Sequence, residues 1–165
     1  MFSVSTVGIK ISPELCTGCE LCELVCSTYH FGKSSIRLSR VIVFKDHAGA
    51  KFTPMLCISC PGMPCVRACP TGALVVDEVT KRPRVIVEKC TSCGDCAKAC
   101  PYNAIRFENY VLAYPLICDL CGGDPQCVKV CWPRALVTTS DLREVYTSAA
   151  KAKGLIEEIA RKYRG

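Results

Sequence analysis

Residues Cys90 to Pro101 read C-T-S-C-G-D-C-A-K-A-C-P, a C-x2-C-x2-C-x3-C-P run. This is a spacing that holds iron–sulfur clusters. Three cysteines two residues apart let a loop curl around one face of a [4Fe–4S] cube, each thiolate meeting a different iron. The fourth, three residues on, starts along a helix and points away, so it ligates a different cube. One such run cannot complete a site by itself. It needs a second copy that lends the missing thiolate.

The chain has three more. Cys16, Cys19, Cys22 and Cys26 repeat the same spacing; Cys57, Cys60, Cys65 and Cys69 read x2, x4, x3; Cys118, Cys121, Cys127 and Cys131 read x2, x5, x3. Together with Cys90, Cys93, Cys96 and Cys100 these use all 16 cysteines. Four tetrathiolate sites need that number, so four [4Fe–4S] clusters are expected. Structural zinc sites pair two separated C-x2-4-C knuckles and have no use for cysteines packed this densely. Disulfides are the other reading of an even count, but cysteines two residues apart on a tight loop make poor partners, and nothing marks the chain as secreted. No C-x3-C-x2-C triad occurs, which removes radical-SAM chemistry.

A chain of 165 residues forms one large or two small domains. Domains that small need staples beyond apolar burial. Clusters would serve, their binding free energy becoming folding free energy, so a largely unfolded apo-protein is expected. The formal charge of +6 counts every thiol as neutral. Four oxidised clusters would add about −8 and bring the holo-protein near −2. Much of the Lys and Arg excess is then internal compensation, and no nucleic-acid partner is expected. No run approaches the roughly 18 apolar residues of a membrane span. Met1–Ser5 lacks a basic region, a long apolar core and a twin arginine. The expected compartment is therefore cytoplasmic, unless a partner carries an export signal.

Residues 4–11 alternate as a short strand that Pro13 ends. Gly18, Gly94 and Gly122 sit in the ligating loops, where small residues suit a close backbone approach. Residues 36–38 and 41–44 read as a hairpin-like pair of strands. Residues 70–89 read as strand, polar turn over 77–84, and strand, leading into Cys90; this is the layout of a two-cluster ferredoxin unit. Residues 104–108 and 110–117 repeat it more weakly. From Ser140, a plausible N-cap, Leu142, Val145, Tyr146, Ala149, Ile156, Ile159 and Tyr163 follow helical periodicity. This C-terminal amphipathic helix is expected to cover the core and to break or soften near Gly154.

An internal repeat underlies the motifs. Cys69, Cys100 and Cys131 lie 31 residues apart. Each follows a short helical turn (C-V-R-A-C, C-A-K-A-C, C-V-K-V-C), and each precedes an alanine–aliphatic pair: Ala73-Leu74, Ala104-Ile105, Ala135-Leu136. Proline follows the fourth cysteine at Pro70 and Pro101 and, one residue later, at Pro133. Ser27 stands there in the first motif, the divergent copy.

These residues resemble the four-cluster iron–sulfur (beta) subunits of molybdenum and tungsten oxidoreductases over residues 10–139. In short phrases, C-T-G-C-E-L-C-E-L-V-C-S followed by His30-Phe31-Gly32, and C-D-L-C-G-G-D-P-Q-C-V-K-V-C, the chain is similar to the small subunits of tungsten aldehyde oxidoreductases. The resemblance implies an α+β fold of two interlocked bacterial-type dicluster ferredoxin units with a C-terminal helix. The outer unit would be 1–56 plus 110–139, the inner 57–109, and the helix 140–165. It implies the ligand sets Cys16, Cys19, Cys22 and Cys131; Cys26, Cys118, Cys121 and Cys127; Cys57, Cys60, Cys65 and Cys100; and Cys69, Cys90, Cys93 and Cys96. Some relatives replace one ligand and hold a [3Fe–4S] cluster, but no position here lacks its cysteine. The chain departs from the family in having no proline after Cys26, a short fourth motif and no C-terminal membrane anchor.

Every iron would be held by cysteine, leaving no open site for substrate, so no catalysis is expected of this chain. Neither a P-loop nor a G-x-G-x-x-G after a strand is present. Of the two histidines, His47 suggests nothing; His30, close behind Cys26, reads as an ordinary loop residue before a tuner of a nearby cluster. The expected function is electron transfer between a tungsten- or molybdenum-containing catalytic subunit and a second electron carrier or acceptor subunit. A free-standing polyferredoxin and a zinc-bound interaction module are the alternatives.

Overall fold

A computed structural model describes residues 7–108 and 110–163. Residues 4–6 of the expected first strand, the whole Met1–Ser5 opening, Asn109 and the last two residues lie outside the described residues. Along the chain run β1 (Gly8–Ile11), α1 (Leu21–Phe31), β2 (Ile42–Asp46), β3 (Lys51–Met55), α2 (Pro64–Arg67) and β4 (Leu74–Val76). Then come β5 (Pro83–Val85), α3 (Asp95–Ala99), α4 (Gln126–Val130), β6 (Leu136–Thr139) and α5 (Leu142–Tyr163). Strands pair antiparallel in twos, β1 with β6, β2 with β3 and β4 with β5. This is the α+β mixture with a closing helix that the sequence leads one to expect.

The β1–β6 ladder sets the topology. Ile11 faces Leu136 and Gly8 faces Thr139, so the segment entering the first cysteine motif lies beside the segment leaving the last. Ile9, Ile11 and Leu136 are each 1% exposed. Helix α5 lies over this ladder on Val145, Ala149, Ala152 and Ile156, all buried. Burying Val145 and Ile156 contributes roughly 1.5–3 kcal/mol each. The approach is close, since a Cβ on Gly8 would stand 2.4 Å from Val145 Cγ2. Ile11 N donates to Ser148 Oγ at 3.1 Å, and Ser148 Oγ donates to the Val145 carbonyl at 3.0 Å. The outer N–H of a two-stranded ladder is thereby satisfied by the helix above it.

Four local readings are corrected. Residues 36–38 form a 3-10 turn (Ile36–Leu38), not a strand. The Ser27 hydroxyl holds this turn against α1 by accepting from Ser35 N at 3.0 Å. The partner of β2 is instead β3, reached through a turn in which Asp46 Oδ1 accepts from Gly49 N at 2.8 Å. Pro54 within β3 masks its strand character in sequence, but the free edge of a two-stranded sheet tolerates a proline. The strand expected over 85–87 runs from Pro83 to Val85, and Val87–Lys89 is a 3-10 turn.

At the C-terminus the cap is Asp141, not Ser140: Asp141 Oδ1 accepts from Arg143 N at 2.8 Å. Helix α5 also runs unbroken through Gly154. Nothing lies within 4 Å of a Cβ built there, so the glycine faces open space and costs only about 1 kcal/mol relative to alanine. Burial of Ala152 and Ile156 on either side outweighs that.

Candidate metal centres

The four motifs share one local design. The residue before each second cysteine is left-handed: Gly18 (φ 70), Ser59 (φ 53), Ser92 (φ 59) and Leu120 (φ 56). So is the residue after the second cysteine in three motifs: Glu20, Gly94 and Gly122. Alternating hand, as in motifs one and three, turns successive backbone N–H groups to one side, the concavity that binds anions and iron–sulfur groups. In motif four Leu120, Cys121, Gly122 and Gly123 are left-handed in a row. At Gly18 the need is double, since a Cβ would also meet the Phe52 ring at 2.6 Å. Each third cysteine, Cys22, Cys65, Cys96 and Cys127, is the second residue of a helix and is buried.

After the fourth cysteine, Gly72, Asn103 and Arg134 are left-handed in their turn. Their amides bond back to Cys69, Cys100 and Cys131 at 3.4, 3.3 and 3.0 Å. The turns deliver the repeat's pairs inward, with Ala73, Ala104 and Ala135 each 2% exposed. The first motif differs because Ser27, unlike Pro70 or Pro101, lets helix α1 continue to Phe31, where Gly32 ends it.

In space the cysteines gather in fours. Cys16, Cys19, Cys22 and Cys131 line one cavity, Cys57, Cys60, Cys65 and Cys100 a second, and Cys69, Cys90, Cys93 and Cys96 a third. The remaining four are Cys26, Cys118, Cys121 and Cys127; after burial, the thiols of Cys118, Cys26, Cys22 and Cys121 all push the Cys127 thiol up. All sixteen are free thiols. Burial first, then neighbouring thiols, pushes Cys65 up to about 12 and, with Ala97 N opposing, Cys96 up to about 11. Burial also raises Cys118 to about 12, against the pull of Arg82. Backbone amides already point at several sulfurs: Arg40 N donates to Cys26 Sγ at 3.3 Å, Ala104 N to Cys100 Sγ at 3.4 Å and Leu120 N to Cys118 Sγ at 3.5 Å. Soft sulfur quartets, apolar walls and inward amides fit an anionic iron–sulfur group.

Residues 15–74 and residues 56–107 each match the description "4Fe-4S dicluster domain". The chain carries 4Fe–4S dicluster ferredoxin domains. These domains are iron–sulfur sites, and the 16 cysteines are the number that four [4Fe–4S] clusters use. The match at 15–74 runs through motifs one and two in chain order, whereas in space the cavity of motif one takes its fourth cysteine from motif four.

The chain is 47% identical over 88 residues to the polyferredoxin-like subunit of aliphatic sulfonate oxidoreductase from Pyrococcus furiosus, covering 53% of this chain and 50% of that protein. It is 36% identical over 76 residues to the arsenate respiratory reductase iron-sulfur subunit of Shewanella, covering 44% and 32%. The matched stretch thus spans half or less of these relatives. A solved active-site complex of benzoyl coenzyme A reductase aligns over 81% of this chain and 78% of its own, at 26% identity and a TM-score of 0.48, too loose a likeness to bear on function.

Two side chains at these sites, Arg106 and Arg82, escape a reading of the sequence, and a third, His30, is placed differently from its first reading. His30 lies in the last turn of α1, not in a loop; its Nε2 is 3.8 Å from Cys121 Sγ and 3.4 Å from Asp119 Oδ1. Arg106 Nη2 donates to Glu23 Oε1 at 2.7 Å, beside Cys22. Arg82, expected within an exposed polar turn, is 6% exposed. Its neighbours Arg84 and Lys81 in a charged run give no sign that one of the three turns inward. No described helix is long and apolar enough to cross a membrane.

Proposed function

We propose that this chain is a non-catalytic electron-transfer subunit whose cysteines hold four [4Fe–4S] clusters. The ligand sets are Cys16, Cys19, Cys22 and Cys131; Cys26, Cys118, Cys121 and Cys127; Cys57, Cys60, Cys65 and Cys100; and Cys69, Cys90, Cys93 and Cys96. The observation that carries this reading is the gathering of cysteines from motifs up to a hundred or so residues apart around common cavities, such as Cys131 with Cys16, Cys19 and Cys22. Bound there, the clusters would supply reversible one-electron storage. The chain's part is to hold them, exclude water and balance their charge.

The sets form a row. Helix α1, which carries Cys22 and Cys26, packs against α4, which carries Cys127. Arg82, bonded to the Cys57 carbonyl, lines a cleft with Ile117 and Asp119 on either side of Cys118. Helix α2 packs against α3 between the last two sets. Only the end sets have an exposed cysteine, Cys19 at one end and Cys93 at the other. Those ends suit entry and exit. On this reading residues 1–56 with 110–139 are the outer unit, 57–109 the inner unit, and 140–165 the helix that clamps them.

The partner at one end would be a catalytic oxidoreductase subunit, as the names of the relatives suggest. We assign it to the tungsten- or molybdenum-pterin class, of the aldehyde oxidoreductase kind, on the family resemblance. The other end would meet a second electron carrier. Gentle anaerobic purification from the native cell tests this. A stable complex with a tungsten or molybdenum subunit, and about 16 iron and 16 sulfide per chain, is expected. Four clusters without a partner would make the chain a free polyferredoxin, and zinc without sulfide would overturn the reading.

A further inference from the structure

The polar turn between β4 and β5 hides a cation. Asp77 Oδ1 accepts from Val79 N at 3.1 Å and Thr80 N at 2.8 Å, and Asp77 N bonds the Arg82 carbonyl at 2.9 Å. This tight turn sends the Arg82 side chain inward, where Arg82 Nη1 donates to the Cys57 carbonyl at 2.8 Å. A buried arginine ordinarily has a carboxylate, because an uncompensated charge away from water is costly. Two aspartates do line the same cleft, Asp77 and Asp119. Both are engaged elsewhere: Asp77 with Arg84 at 3.5 Å, Asp119 with Arg40 at 2.6 Å. Among the described residues Arg82 forms no ion pair.

What surrounds Arg82 instead is the backbone around two ligand candidates. Its hydrogen bond is to the Cys57 carbonyl, and the cleft it lines is also walled by Ile117 and Asp119, the residues on either side of Cys118. Those cysteines belong to different sets and lie at the junction between the inner and outer units.

We propose that Arg82 is the shared counter-charge of the two middle clusters, placed to raise both of their reduction potentials and so keep the row continuous across the junction. This rests on the cluster reading above. Each added electron makes a site one charge more negative, and a fixed buried cation favours that reduced form. Net charge and hydrogen bonding around the sulfurs are the levers that set such potentials. Arg82 is a positioning residue for charge and ligates nothing.

The test compares Arg82→Gln, which removes the charge, with Arg82→Lys, which keeps it. Iron and sulfide are counted first, then potentials are read by EPR-monitored redox titration of the full chain. In Arg82→Gln two of four clusters should lose at least tenfold in reduced-to-oxidised ratio at a fixed potential, a drop of about 59 mV for a one-electron couple. The other two should not move, and Arg82→Lys should match the native protein. Four native potentials in a fully loaded Arg82→Gln would overturn the proposal, as would an equal drop in Arg82→Lys. If Arg82→Gln fails to load, a loaded Arg82→Lys with native potentials supports it, and a failed or shifted Arg82→Lys overturns it. Fewer than four clusters in the native chain would instead refute the cluster reading itself.

Discussion

Arg106 reaches Glu23 at 2.7 Å across 83 positions of sequence. Glu23 is 2% exposed and follows the buried ligand candidate Cys22. Arg106 also donates to the carbonyls of Ser39 at 3.0 Å and Val41 at 3.2 Å. One guanidinium therefore fastens the segment after motif three to helix α1 and the start of β2. Burial pushes the Glu23 carboxyl up, and Arg106 and an amide oppose it.

Removing one partner of such a pair strands the other in the interior. Arg106→Met should cost about 3–5 kcal/mol, read as cluster bleaching at a lower temperature. The double variant with Glu23→Gln should recover most of the loss. An Arg106→Met chain that bleaches at the native temperature would show that the pair carries no stability.

The proposed exchange of fourth cysteines gives a lesion map. Cys131→Ser and Cys16→Ser should damage the same cluster, seen as loss of one EPR signal, while Cys127→Ser should remove a different one. Motif four supplies both Cys127 and Cys131, so a shared lesion for those two would mean that the motif ligates within itself.

Gly18 is left-handed and stands against Phe52. Gly18→Ala should cost at least about 1–2 kcal/mol from backbone conformation alone, with the ring contact in addition. Thermal bleaching should begin at the cluster of Cys16, Cys19 and Cys22. Phe52→Ala in the same chain should return the contact part of the loss but not the conformational part.

Asp46 gathers the end of α5. Lys162 Nζ donates to its carboxylate at 3.0 and 2.8 Å and Tyr163 OH at 2.6 Å. Bonding to Lys162 first, then to Tyr163 and Gly49 N, holds the Asp46 carboxyl well below the usual carboxylate range. A lowered acid contributes stability that is present above the unfolded value, about 3.9, and lost as pH falls through the lower folded value. Amide exchange in the last turn of α5 should therefore show no Asp46-linked loss of protection from pH 8 to 5. Asp46→Asn should speed that exchange several-fold at neutral pH, leaving cluster potentials unchanged. A protection step between pH 8 and 5 that Asp46→Asn abolishes would refute the assignment.

Stripping the metal should unfold the chain. The strands are three to five residues long and paired only in twos, which is marginal in water, and seven of the buried core residues are cysteines. Chelation under reducing conditions should abolish most far-UV circular dichroism. Retention of native helix signal by the apo-protein would count against the clusters as staples.

Cysteine spacing alone determined the number and kind of sites and the repeat with its inward alanines, because a ligating loop is a local object of about a dozen residues. The divergence of motif one was equally readable in the missing proline after Cys26, although its consequence, an α1 that runs on to Phe31, needed coordinates. Tertiary structure decided what distance in sequence conceals. The β1–β6 ladder brings Cys131 to the cavity of Cys16, and packing under α5 carries the helix straight through Gly154. Only the fold of the turn distinguishes Arg82, turned inward, from Arg84 beside it, turned out. Ligand spacing is fixed by bond geometry within a loop, whereas burial and charge balance are fixed by which distant segments meet.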